Sequence, residues 1–300
     1  MDGIALSKLI GPILIFSMSL GMGMSMVAND IKRILVYPKA VTLGSINQLI
    51  ILPLVGFLIA TMLDLTPEIS IGIMLLTFCP GGVGSNVMSL LARGDAALSV
   101  TLTFVSSCVI VLTLPILTNM TLQHFSGEES AIVFPVGNTI QRVFLITMLP
   151  IGIGMLIRRC YPEFALKAQV YVRNTGFILM ALLIVGIVVK EFDMILSYAG
   201  IAGWASLLLC SSTMLIGFFS SKILNLSRAQ CIAICIEVGM QNSALAILIS
   251  AMLGKEAFAI PAIITTIIAS SFCLILIIIG NIQARKESST YHSTRSAEVL

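Results

Sequence analysis

Nine apolar runs constrain the fold of this chain more than any other feature. Their limits fall near residues 4–27, 40–63, 69–92, 96–119, 136–157, 174–190, 200–221, 231–253 and 257–282. At about 17–25 residues each run is long enough to cross the hydrocarbon core of a bilayer as a helix. In lipid every backbone N–H and C=O needs a partner inside the protein, and a helix supplies all of them within its own segment. The pattern therefore predicts an all-α polytopic membrane protein of about nine transmembrane helices. A soluble domain is excluded by composition: 10% of the residues are charged and 58% are hydrophobic, against roughly 25% charged in soluble chains. The first run lacks a charged leader and a small-residue cleavage site, so it reads as a span and not as a removed signal. Residues 1–282 form one membrane domain, and 283–300 read as a polar, disordered cytoplasmic tail.

Charge placement orients the runs. Loops after the first, third, fifth, seventh and ninth runs hold most of the 17 lysines and arginines, while the opposite side keeps Lys8, Lys190 and Lys255. The positive-inside rule then places the N-terminus outside and the C-terminus in the cytoplasm. No basic, aromatic stretch points to nucleic acid. Seven scattered cysteines and two histidines form no CxxC and no Cys/His cluster, so neither a disulfide framework nor a transition-metal site is expected.

Two runs carry polar interruptions. Glu237, Gly239, Gln241, Asn242 and Ser243 fall near the middle of 231–253, and Glu237 is the one acidic residue inside any run. A carboxylate at that depth costs at least ~2.5 kcal/mol. The third run breaks at Pro80-Gly81-Gly82-Val83-Gly84-Ser85-Asn86. Proline removes a backbone donor, and the glycines are read as letting the chain unwind. Half-helices meeting near the midplane offer N-termini that suit an anion. They also offer unwound carbonyls that, with side-chain oxygens, suit a cation such as sodium. Glu237 is then a cation ligand, with Gln241, Ser85 and Asn86 as neutral oxygens. Ser99 and Thr103, one helical turn apart, could add hydroxyls. Asn47 and Gln48 interrupt the second run in the same way. The competing readings are a simple proline kink, a protonated structural glutamate, and hydroxyls bonded back to their own helices.

The broken runs lie five spans apart, and an odd offset gives two similar units opposite orientations. This predicts an inverted repeat, about 4–119 against about 136–282, with broken helices at 69–92 and 231–253. A weak echo between DIKRILVYPKAVTLGS (30–45) and EFDMILSYAGIAGWAS (191–206) points the same way.

The segments PGGVGSNVMSLLARGDAALSVTLT and EVGMQNSALA resemble the two signature segments of the bile acid:sodium symporter family. The resemblance implies a core and a panel, crossed discontinuous helices in the core, and sodium-driven uptake of organic anions. Carried over residue by residue, it implies one sodium site at Ser85, Asn86, Ser99, Thr103 and Glu237. The second lies at Gln48, Glu237, Val238, Met240 and Gln241, with the valine and methionine acting through backbone carbonyls. It also implies that the chain begins at the second helix of a ten-helix scheme, leaving a 4+5 repeat. TTIIASSF (265–272) stands where some bacterial members present a His-Asn pair to substrate. Val83, Asn242, Ser270 and Ser271 are the substrate candidates.

The function so implied is symport of an organic anion with two Na⁺ as co-substrate across the cell membrane. The anion could be bile acid-like, pantoate-like or another carboxylate. No organic cofactor and no obligate protein partner is expected. A proton-coupled or uncoupled carrier on the same fold competes with this reading. A membrane enzyme using Glu237 would need a nucleophile–base pair or metal dyad, and the runs contain none.

Overall fold

A computed structural model describes residues 3–27, 36–126 and 135–298, with side chains described between 8 and 282 of these. Among the described residues eleven α-helices follow in order. The first five are α1 (Gly3–Ser25), α2 (Pro38–Met62), α3 (Pro67–Thr77), α4 (Val83–Leu91) and α5 (Ala96–Ser126). After them come α6 (Val136–Cys160), α7 (Pro162–Lys190), α8 (Phe192–Ile223), α9 (Arg228–Gly239), α10 (Ser243–Met252) and α11 (Ile260–Glu298). Seven stretches are helical, long and apolar enough to cross a membrane, in α1, α2, α5, α6, α7, α8 and Glu256–Ile282. The two runs with polar interruptions fold instead as pairs of shorter helices, α3/α4 and α9/α10. This is a multi-pass membrane protein built of helices.

Local sequence explains the helix ends. Pro38, Pro67 and Pro162 sit in first turns, where the missing N–H would have had no partner anyway. Ser227 and Gln230 cap α9 reciprocally. Within α2 and α6 a wider π-turn, Asn47–Ile51 and Phe144–Met148, comes just before a Leu-Pro pair. Proline cannot donate to the preceding turn, and a π-turn is one way a helix absorbs that loss.

Several helices outrun the apolar segments. α7 starts at Pro162, well before residue 174, so Lys167 and Arg173 ride on a helix and not in a loop. Hydropathy marks what suits lipid, whereas helical hydrogen bonds close within the segment and continue past it. The tail read as disordered is likewise helical as far as Glu298. The start of the 30–45 echo lies outside the described residues.

Two layers result. α1, α6 and α7 pack mainly on one another. Gly23 and Gly154 let α1 and α6 touch backbone to backbone, since a Cβ on either would overlap a carbonyl of the other helix, Ile151 or Leu20. The second layer surrounds α3 and α10. Residues Ile69 to Thr77 and Ser243 to Ala251 are all buried, as expected for helices that are apolar on every side. Large apolar side chains face outward elsewhere, for example Ile178, Leu182, Val185 and Val189 along α7. Such a stripe suits lipid and not water.

Candidate functional site

The two helix breaks meet. The chain leaves α3 after Thr77 and passes Pro80–Gly82 in extended form, and it leaves α9 after Gly239 with Met240 likewise extended. Gly81 and Gln241 form an antiparallel bridge. The Asn242 N–H donates to the Pro80 carbonyl at 2.9 Å, and the Asn242 side chain caps α10 by accepting from the Leu245 N–H at 3.1 Å. Each break thus supplies backbone partners to the other, which removes the cost of irregular backbone inside the protein. The chain does leave the helix around these glycines, though not through left-handed backbone. None of Gly81, Gly82 and Gly84 has a positive φ. Gly81 is needed for closeness, because a Cβ there would overlap the Glu237 carboxyl.

Glu237 occupies the last turn of α9 and is 0% exposed. Ser85 Oγ donates to its Oε2 at 2.9 Å and Ser99 Oγ to the same oxygen at 2.6 Å, while Thr103 Oγ1 donates to Oε1. Every hydrogen-bond partner of this carboxyl among the described residues is a neutral hydroxyl. Asn86 Oδ1 completes the cage, within reach of Ser99 Oγ at 2.8 Å and Thr103 Oγ1 at 3.2 Å. α4, α5 and α9 each contribute.

The cage is short of protons. A hydroxyl donates one, yet Ser85 faces both the Gly82 carbonyl and Glu237. Ser99 faces Asn86 and Glu237, and Thr103 faces Asn86, Glu237 and the Ser99 carbonyl. An oxygen cluster with surplus lone pairs and a buried negative charge fits a hard cation.

The second predicted set converges beside it. The π-turn of α2 carries Gln48, whose Nε2 donates to Gln241 Oε1 at 2.5 Å and to the Cys79 carbonyl at 3.2 Å. Gln241 Nε2 donates in turn to the Val238 carbonyl at 2.7 Å and the Glu237 carbonyl at 3.5 Å. Gln48 Oε1 is buried and no donor reaches it among the described residues; a cation would satisfy it. Met240 lies in the extended connector after α9. Asn47 ties α2 to Ser220 of α8 at 2.9 Å.

The substrate candidates separate. A cavity of about 400 Å³ lies between the α1–α6–α7 layer and α4–α5, with Val83 and Asn86 on its wall. Asn242 sits at the crossing. Ser270 and Ser271 are not on the cavity wall; Ser271 is exposed and bonds back to the Ile267 carbonyl at 2.9 Å. The α11 hydroxyl that reaches the crossing is Thr266, 2.6 Å from Ser243 Oγ. In the sequence Thr266 stands one turn before Ser270 on the same helix face.

A family model described as the sodium bile acid symporter family matches residues 12–198, more than half of the chain. The chain belongs to the sodium bile acid symporter family. This member of the symporter family is 32% identical over 250 residues to an "Uncharacterized sodium-dependent transporter YocS" of Bacillus subtilis, covering 82% of this chain and 75% of that protein. A "Probable sodium/metabolite cotransporter" of the chloroplast of Arabidopsis thaliana is 29% identical over 250 residues, 83% of this chain and 61% of the plant protein. The human ileal sodium/bile acid cotransporter is 26% identical over 245 residues, 78% of this chain and 65% of its own length. The chain spans less than two thirds of the plant and human symporter-family proteins. The family is one of transporters and not of enzymes.

Proposed function

We propose that this chain is a sodium-coupled symporter of an organic anion. One observation carries the reading: Asn86 belongs both to the oxygen cage around buried Glu237 and to the wall of the cavity. A cation drawn into the cage takes up Asn86 Oδ1, and whatever occupies the cavity feels the same side chain. Relatives named for sodium-dependent transport and for sodium/bile acid cotransport support the same conclusion.

Sodium is co-substrate in this scheme. One ion is held by Glu237, Ser85, Asn86, Ser99 and Thr103. A second is held by Gln48, Gln241, Glu237 and the carbonyls of Val238 and Met240. Val83 and Asn242 flank the anion. The α1–α6–α7 layer acts as the panel and the crossing layer as the core, the halves being inverted repeats of a nine-span bundle, and relative rocking exposes the cavity to each side in turn.

Sodium, but not potassium, is expected to raise the thermal midpoint of the purified protein. Saturation at one hundred times the dissociation constant corresponds to about 2.7 kcal/mol. In liposomes, uptake from a panel of bile acids, pantoate and 2-keto acids is expected to fall at least ~10-fold when potassium replaces sodium, a loss of about 1.4 kcal/mol of coupling. Equal midpoints and equal fluxes in the two salts exclude sodium coupling and favour a proton-coupled carrier.

The cytoplasmic C-terminus has its own check. Cys160, at the α6–α7 turn beside Arg158 and Arg159, is exposed. In a Cys108→Ser background it is expected to react with a membrane-impermeant maleimide only after cells are opened. Labelling of intact cells would reverse the orientation.

A further inference from the structure

The cavity that Asn86 borders also has a charged part to its wall. Arg158, Gln169 and Arg173 line it. Arg158 is steadied at the α6–α7 turn, where Nη1 donates to the Pro162 carbonyl at 2.8 Å. α7 comes close to α1 at Gly21, where a Cβ would stand 3.5 Å from the Arg173 backbone nitrogen, and this brings Arg173 to the cavity. Among the described lining residues no Asp or Glu balances the two guanidiniums. Gln169 adds a buried Oε1 that no donor reaches among the described residues. A buried acceptor left unpaired costs free energy that a ligand or water can relieve. Apart from Ser25 the remaining wall is apolar, with Met22, Val87 and Val100. A pocket of this size, mostly apolar with a few convergent polar groups, is typical of a small-molecule site.

We propose that Arg158 and Arg173 are the anion-recognising residues of this cavity, taking the acidic group of the organic anion proposed above. The carboxylate, sulfonate or sulfate pairs with the guanidiniums, whose planar forks match such groups. The apolar body lies against Met22, Val87 and Val100. This names the recognition element of the transport site proposed above and rests on that reading.

The test reads the local potential without requiring transport. Single cysteines are placed on the cavity wall by Ser25→Cys or Ala97→Cys, with the exposed native Cys108 and Cys160 replaced by serine. Labelling rates are measured with 2-sulfonatoethyl methanethiosulfonate, an anion, and with its 2-trimethylammonioethyl counterpart, a cation of similar size. Both are normalised to a free thiol in solution. The anionic reagent is expected to be favoured by roughly 10-fold or more, as for a cleft of one charge sign. Arg158→Gln with Arg173→Gln is expected to bring the ratio near unity. A ratio that survives both substitutions, a preference for the cation, or no labelling at either position overturns the proposal. Sodium is absent from the assay. A chain that passes here but shows no sodium-induced stabilisation is an anion-selective carrier without sodium coupling, and the reverse outcome removes only the arginine assignment.

Discussion

Glu237→Gln is expected to abolish both sodium-induced stabilisation and sodium-driven uptake while leaving the protein folded. The substitution keeps the side chain's shape and removes its charge. Cations in the cage then lose their counter-charge. Breaking a buried charge pair costs about 3–5 kcal/mol, which corresponds to a fall of ~10²–10⁴ in sodium affinity. The sign reverses without sodium. The wild-type carboxylate is then 0% exposed with only neutral hydroxyls around it, whereas the amide carries no charge to bury. The variant is therefore expected to melt in potassium no lower than the wild type. Thermal midpoints of both proteins in both salts decide the matter. A preserved sodium shift would remove Glu237 from the ligand set, and a variant unfolded in either salt would make the carboxylate structural.

Gly81→Ala is expected to lower the thermal midpoint and abolish uptake, whereas Gly82→Ala next door is expected to be tolerated. The Gly81 Cβ would overlap the Glu237 carboxyl, which cannot swing aside without losing the hydroxyls of Ser85, Ser99 and Thr103. The connector cannot withdraw without breaking the Gly81–Gln241 bridge and the 2.9 Å bond from Asn242 N–H to Pro80. Overpacking of this kind costs about 1–3 kcal/mol, and here it also displaces the oxygens of the cage. Gly82 has an ordinary extended conformation, φ −119° and ψ 174°, and a Cβ there would meet its nearest neighbour at an ordinary 3.7 Å. Its replacement should change stability by no more than about 0.5 kcal/mol. Indistinguishable behaviour of the two variants in urea or thermal unfolding would mean that the Gly81–Glu237 contact does not hold the crossing together.

Much of this site is legible from residue type alone. Glu237, Ser85 and Asn86 stand out because polar groups inside apolar runs carry a cost that something must offset. Ser99 and Thr103 follow because residues one helical turn apart share a face. The same signal is ambiguous elsewhere. Ser270 and Ser271 interrupt a run as Ser85 does, yet Ser271 spends its hydroxyl on its own helix while Thr266 makes the contact to Ser243. Gln48 came into view fully only through the family resemblance, since nothing in hydropathy announces the π-turn that carries it to Gln241. Arg158 and Arg173 read as topological charges near the end of a span, which says nothing about a cavity between layers.

The sequence by itself determined that the chain is a helical membrane protein and where two of its helices break. Both follow from costs incurred one residue at a time: the thickness of the bilayer, the price of each buried polar group, the donor that proline lacks. Only the tertiary structure decided that the two breaks face each other and that Gly81 must be bare because Glu237 lies against it. It also decided that Asn86 joins the oxygen cage to the cavity and that two arginines line the same cavity. Those are pairings between segments far apart in the chain. A residue's local preferences carry no record of its partner, and the partner is set by how whole helices pack.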